Sequence, residues 1–495
     1  MRPGEMSRRL PAAPWAYLLV TGCTLAGSRL VHARPPDANA SGPTSAAEAA
    51  PTPGAPAAPA PAALATQAPA APAGPKPLDV REPPFDGEDF SWLNGSNRQP
   101  ESLLKLGPVV LSLYVDAFYA WQFSQPIDHT IFPTTTAPRH NEFGFNLASI
   151  GIELPPNAID SPSGGPVGQF SIQYGAITEA VGGQDTTVNR GFYLSTTALQ
   201  AIRTASAGWH FHFLHGMNVE FGIFPSYVAL ESYLPQENWN YTHPFVSDFT
   251  PYYFYGGRAQ TYLTDRLKLE LWVVNGWQTY GQWQETKSGG YILNWRPTER
   301  FIVANVLYVG QTSPVDPGAI RYYTDNYAQL QYFKSPQGFV TSSGICLVAD
   351  VGYQARTLAP GGPMGGASIT HRTEVRGGWA VTVRGDVYYD KTRAVTPQLP
   401  VSAPYNMPEY VMPDANSPFL GGGFTGTLDY LPSPWLLWRL EYAHRFANVP
   451  FFSGHGGITG NGPDGTVNTA PNAPPFTPDL VKTDDRVVGN VTLRL

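Results

Sequence analysis

The stretch that decides the fold is Arg486-Val-Val-Gly-Asn-Val-Thr-Leu-Arg-Leu495, where apolar and polar side chains alternate without a break. Val487, Val491, Leu493 and Leu495 share one face, and Arg486, Asn490, Thr492 and Arg494 share the other. This period of two belongs to a strand with one apolar and one wet side. Working outward, the same pattern recurs. Leu267, Leu269, Leu271 and Val273 alternate with Lys268 and Glu270; Trp379, Val381, Val383, Val387 and Tyr389 with Arg384 and Asp386; Leu436, Trp438, Leu440 and Tyr442 with Arg439, Glu441 and His444.

Alternation alone also fits a soluble sandwich, whose apolar faces meet a second sheet. The connections separate the two. His215-Gly216, Thr264-Asp265, Arg296-Pro-Thr-Glu299, Ser335-Pro-Gln-Gly338, Gly377-Gly378 and Pro432-Ser-Pro434 are tight turns, whereas every second connection, such as 391–418 and 447–483, is long and rich in Gly, Pro and Asn. Short turns at one rim and long loops at the other are the plan of an outer-membrane barrel. Strand-like runs near 109–122, 142–154, 167–175, 204–214, 216–224, 251–263, 266–275, 289–296, 300–310, 322–334, 338–353, 367–376, 378–390, 420–431, 435–446 and 485–495 number about sixteen, an even count as closure requires, with 14 or 18 as the neighbouring choices. The expected fold is all-β: a transmembrane antiparallel up-and-down barrel over 109–495, with both ends at the short-turn rim. Strand-end Trp121, Tyr255, Tyr389, Tyr430 and Trp435 are candidates for aromatic girdles at the lipid boundary.

The N-terminus reads as an export address. Arg8 and Arg9 precede an apolar stretch, Leu10 to Leu19, and Val31-His32-Ala33 marks cleavage, so 1–33 is a signal peptide. Lipid attachment at Cys23 is the competing reading. Beyond this segment no run of about 18 apolar residues offers a membrane helix. Residues 34–78 are mostly Ala and Pro and form a periplasmic spacer without a core. Residues 79–108 are a periplasmic lead into the barrel, an extra strand or a plug of its lumen. Leu199, Ile202 and Ala205 have helix-like spacing and suggest a short helix or a constriction element.

Five stretches, FDGEDFSWLNGSNR at 85–98, RHNEFGFNLASIG at 139–151, HGMNVEFGIFPSY at 215–227, LKLELWVVNGWQTYG at 267–281 and EYAHRFANVPFFSGHGGIT at 441–459, resemble the OmpL-like outer-membrane porins of Gram-negative bacteria. That resemblance implies an outer-membrane barrel. Many such barrels end in Phe or Trp, and this sequence ends in Leu495.

If the apolar faces meet lipid, the charged faces line the lumen. The candidate lining is Asp116, Glu220, Arg258, Lys268, Glu270, Arg372, Glu374, Arg376, Arg384, Asp386, Arg439, Glu441, Arg445, Arg486 and Arg494, with bases in excess toward the C-terminal half. Facing ladders of Arg and carboxylate would set a transverse field across a wet pore; cross-strand pairing that merely stabilises the wall is the other reading.

Enzyme signals are thin. His210, His212 and His215 suggest a metal site only weakly, since no carboxylate lies at a supporting spacing. His140, Asn141 and Ser149 are the residues that an outer-membrane hydrolase would need, but they sit in a wall-like strand. No phosphate loop or cysteine pair is present, so no cofactor is implied. A net charge of −7 argues against nucleic acid. The expected function is passive diffusion of small polar solutes, with outer-membrane lipid as the surroundings and a mild preference for anions. A non-conducting barrel whose long loops bind a surface partner is the alternative, and a soluble secreted all-β protein a weaker one.

Overall fold

The computed structural model describes residues 104–495, apart from 155–163, 183–184, 186, 188–198, 283–284, 314–315, 396–417 and 461–477. The expected signal peptide (1–33), the expected spacer (34–78) and residues 79–103 of the expected lead or plug lie outside the described residues. Sixteen long strands carry the fold: β1 Val109–Gln122, β2 Phe143–Leu154, β3 Gly165–Tyr174, β4 Ile202–Phe211, β5 Met217–Pro225, β6 Tyr253–Thr264, β7 Leu267–Val274, β8 Ser288–Thr298, β9 Phe301–Gln311, β10 Ile320–Lys334, β11 Val340–Gln354, β12 Gly362–Val375, β13 Trp379–Asp390, β14 Phe419–Ser433, β15 Leu436–Ala447 and β16 Thr483–Arg494. Each pairs antiparallel with its chain neighbours. The last strand then pairs with the first, from Arg486↔Gln122 to Arg494↔Tyr114. The seam is finished by reciprocal bonds between Leu113 and Leu495, each N–H donating to the other's carbonyl. A closed ring leaves no unpaired edge, which a bilayer would penalise by several kcal/mol per group.

The connections sort by rim as expected. Residues 265–266, 299–300, 376–378 and 434–435 make tight turns at the rim that holds both ends of the barrel, while 123–142, 226–252 and 448–482 are long loops at the other. Preceding β1, Lys105–Leu106 folds back on Val109 and Val110 as a small hairpin at the short-turn rim.

Burial follows the alternation. Phe145, Ile150, Phe221, Leu271, Val273, Leu347, Val351, Val383, Leu428 and Leu440 are exposed on the outer face, where lipid replaces water, and the polar residues between them are buried inside. Outer aromatics cluster at both strand ends: Tyr174, Tyr255, Tyr322, Tyr353 and Tyr389 toward the long loops, Trp209, Trp295, Tyr332, Trp379 and Trp438 toward the short turns. These are the two girdles of a membrane barrel, placed where an amphipathic ring gains most. Of the three residues whose spacing suggested a helix, Leu199 is helical together with Gln200, whereas Ile202 and Ala205 lie in β4; a further helix of that connection is α1, Ala176–Gly182. A spacing of three fits a helix turn, but pairing with β3 and β5 overrides it here.

Candidate functional site: the lumen and its crossing loop

The loop 226–252 leaves β5, enters the lumen and returns to β6. Its contacts lie on β13, β14, β15 and β1, on the far side of the ring, so it crosses the bore. The local sequence explains the departure. Pro235 and Pro244 interrupt the strand alternation, starting a 3-10 turn at Pro235–Glu237 and the short helix α2 at Phe245–Asp248. The loop also carries its own apolar face: Leu230, Trp239, Phe245, Val246 and Phe249 pack on Cys346, Val348, Tyr388 and Phe419 of the inner wall.

Polar anchors fix the tip. Glu441 on β15 accepts from the Tyr241 N–H at 2.6 Å, the Thr242 N–H at 3.0 Å, Thr242 Oγ1 at 2.5 Å and Thr427 Oγ1 at 2.7 Å. Arg439 donates to the carbonyls of Pro235 and Asn238 at 3.0 and 2.9 Å. Arg384 donates to the Thr242 carbonyl, Asn240 donates to Thr427 Oγ1, and the Tyr241 hydroxyl donates to Asp116 at 3.1 Å. A neighbouring loop adds Thr135, whose hydroxyl donates to Asp248 at 2.9 Å.

The charged candidates are brought together mostly as pairs along the wall. Arg258 meets Glu220 at 2.7 Å, and Lys268 meets Glu270. Asp429 sits between Arg372 and Arg439, 2.6 Å from each. Arg445 reaches Asp248 at 3.4 Å, Arg384 reaches Asp386 at 3.8 Å, Arg486 reaches Asp484 at 3.6 Å and Arg494 reaches Glu237 at 3.8 Å. Glu374, closer to the rim and partly exposed, lies 3.5 Å from Arg372. Arg376 is past the end of β12, in the exposed turn, where its guanidinium donates to the Gln337 carbonyl. It stands apart from the inner wall because the alternation that placed it there ends at Val375. Pairing dominates because a desolvated charge without a partner costs several kcal/mol.

The remaining motifs disperse. His210 is buried with Nδ1 2.8 Å from Asn218 Oδ1, whereas His212 lies in the following turn with its side chain exposed. Among the described residues no three His, Cys, Asp or Glu side chains are arranged to hold a metal ion. His140 Nδ1 accepts from the Gln122 N–H at 3.0 Å, and the Ser149 hydroxyl donates to the Ile172 carbonyl at 2.8 Å, so both serve structural bonds.

Two features escaped the sequence reading. Asp325 and Asp350 stand opposite each other on β10 and β11, both buried. Arg203 belongs by parity to the outer face of β4 yet lines a cavity inside, because a bulge displaces it. That cavity, about 80 Å³, lies between the crossing loop and the inner wall of β1 to β4; Tyr114, Glu153, Arg203, Glu231, Glu237 and Arg494 are among its lining.

Solved structures with similar architecture are porins. They include an anion-selective porin from Comamonas acidovorans (9% identity, TM-score 0.46, 78% of this chain and 99% of that one). Another is outer-membrane expressed OmpT of Vibrio cholerae (8%, 0.44, 79% and 99%). A third is Salmonella typhi OmpF in complex with daunomycin (11%, 0.42, 78% and 97%). No curated protein matches the sequence. The family model described as "Putative beta-barrel porin-2, OmpL-like" matches residues 108–470, most of the chain. The protein therefore belongs to the OmpL-like β-barrel porins, non-enzymatic channels of the bacterial outer membrane.

Proposed function

We propose that this porin admits small polar solutes by passive diffusion around the crossing loop, with a mild preference for anions. The observation that carries the charge preference is a set of guanidinium nitrogens without acceptors. Among the described residues, Arg384 Nε and all three Arg486 nitrogens are buried in the lumen without a hydrogen bond, their carboxylate neighbours Asp386 and Asp484 standing 3.8 and 3.6 Å away. Donors of this kind, close to a path, raise the local concentration of anions. The preference is mild because buried carboxylates such as Asp325 and Asp350 also line the lumen, and because most of the bases stand beside a carboxylate.

The reversal potential across a KCl gradient tests it. An anion-side potential that shrinks toward 1 M salt, where screening shortens to about 3 Å, and that weakens in Arg384→Gln plus Arg486→Gln, is expected. A cation-side potential unaffected by those changes would overturn the preference.

A non-conducting barrel whose long loops bind a surface partner is favoured by one observation: the crossing loop is docked on both its polar and its apolar sides, and Asp116, Lys268 and Arg486 beneath or beside it are almost wholly buried. Steady current through the purified protein separates the two readings.

A further inference from the structure

We infer that the cavity between the crossing loop and the β1–β4 wall is a subsite for small zwitterionic solutes of the α-amino-acid type, Arg203 taking the carboxylate and Glu231 the ammonium. This rests on the reading that small polar solutes enter the lumen.

Arg203 reaches the cavity through a break in the strand. Between β3 and β4 the register runs Ser171↔Thr204 and then Ile172↔Ile202, so Arg203 has no partner. In a regular strand it would share the outer face with Ala205, Ala207 and Trp209. The extra residue re-aims it inward, as bulges do, and its Nε donates to Ser149 Oγ on the inner face of β2 at 3.3 Å. That is its one hydrogen bond among the described residues, which leaves the terminal nitrogens available for a two-oxygen acceptor. Turning an arginine out of lipid explains why the residue is tolerated; a guanidinium with free donors on a cavity wall explains more.

Glu231, on the crossing loop, lines the same cavity. The Ser247 hydroxyl donates to its Oε2, and Oε1 accepts nothing among the described residues. Neither Arg203 nor Glu231 makes a direct salt bridge among the described residues, although Glu237 and Glu153 stand near Arg203, and Asp325 and Asp350 near Glu231. The rest of the lining decides the ligand class. Glu153 and Glu237 would repel a simple anion, while Arg203 and Arg494 would repel a simple cation. A solute carrying both charges offers a carboxylate to Arg203 and an ammonium to Glu231 within one cavity.

The test is equilibrium dialysis of radiolabelled L-alanine against the full chain folded in detergent, with heat-modifiable migration as the check of folding. Saturable binding is expected, with acetate and methylamine competing far less well than unlabelled alanine. Arg203→Ala and Glu231→Gln should each weaken binding by about 10- to 100-fold, the loss typical of a hydrogen bond to a charged group. Arg203→Lys should fall between, and Arg376→Ala, altered in the exposed turn, should bind like the parent. Should Arg203→Ala fail to fold, Arg203→Lys and Glu231→Gln carry the comparison. Absence of saturable binding by the folded parent, unchanged affinity in the Arg203 variants, or acetate competing as strongly as alanine would each overturn the assignment. Alanine binding without any KCl current in a planar bilayer would instead remove the channel reading and leave the subsite.

Discussion

Glu441 is the residue on which the crossing loop depends most, and replacing it by alanine tests that dependence. Its carboxylate accepts four hydrogen bonds, two from backbone N–H groups at the loop tip, one from Thr242 Oγ1 and one from Thr427 Oγ1. Leaving the Tyr241 and Thr242 N–H groups unsatisfied costs about 1–3 kcal/mol each where they stay buried, so the docked loop should lose about 2–6 kcal/mol. Arg384, Arg439 and Asn240 still hold the tip, and the apolar face of the loop still packs. The expected result is partial release, not an unfolded barrel. In planar bilayers Glu441→Ala should show a larger and noisier single-channel conductance than the parent. Glu441→Gln, which keeps one acceptor oxygen, should fall between, and heat-modifiable migration should be retained by all three. A conductance indistinguishable from the parent in a folded Glu441→Ala protein would show that the loop does not limit the conducting path.

Val383 is exposed on the outer face and Arg384 is buried within, so Val383→Arg should impair folding into vesicles by about 2–4 kcal/mol, the depth-dependent price of a charge facing lipid; equal loss in Arg384→Ala would invert the facing. Asp429→Ala leaves Arg372 and Arg439 buried without their shared carboxylate and should destabilise the barrel by about 3–5 kcal/mol in urea unfolding, whereas a neutral result would mean water replaces the carboxylate. At the long-loop rim, the Thr357 hydroxyl and the N–H groups of Leu358, Thr357 and Gly318 hold the Asp316 carboxyl down at about 2. A depressed value means that this contact is present above the ordinary carboxylate range and lost only as pH falls toward 2, so Asp316→Asn should make 312–319 and 355–361 more sensitive to protease at neutral pH. Equal cleavage rates would remove the anchor.

The strand count, the closure and the facing of most side chains were legible because two solvents impose them: lipid on one face and polar lumen on the other force a period of two over every strand. Val487 to Leu495 and Leu267 to Val273 show that pattern plainly. The crossing loop was not legible. Its partners are distant in sequence, Tyr241 with Asp116 and Thr242 with Glu441, and no local pattern announces a long-range contact. For the same reason Glu441, legible as a wall charge, gave no sign that it holds the loop, and local pattern did not decide between facing ladders and cross-strand pairs such as those of Asp429. Arg203 was missed on different grounds. A bulge shifts register by one residue, and parity then places the side chain on the wrong face. Only the single arginine beside Ile202, awkward on a lipid face, hinted at it.

The central claim is that this barrel is a channel narrowed by the loop 226–252. Single-channel conductance of the purified parent protein in a planar bilayer tests it most directly. A small, steady, ohmic KCl current is predicted, rising when Glu441 is replaced by alanine. A folded, membrane-inserted protein that passes no current, with or without the Glu441 change, would contradict the account and favour a sealed barrel that acts through its outer loops.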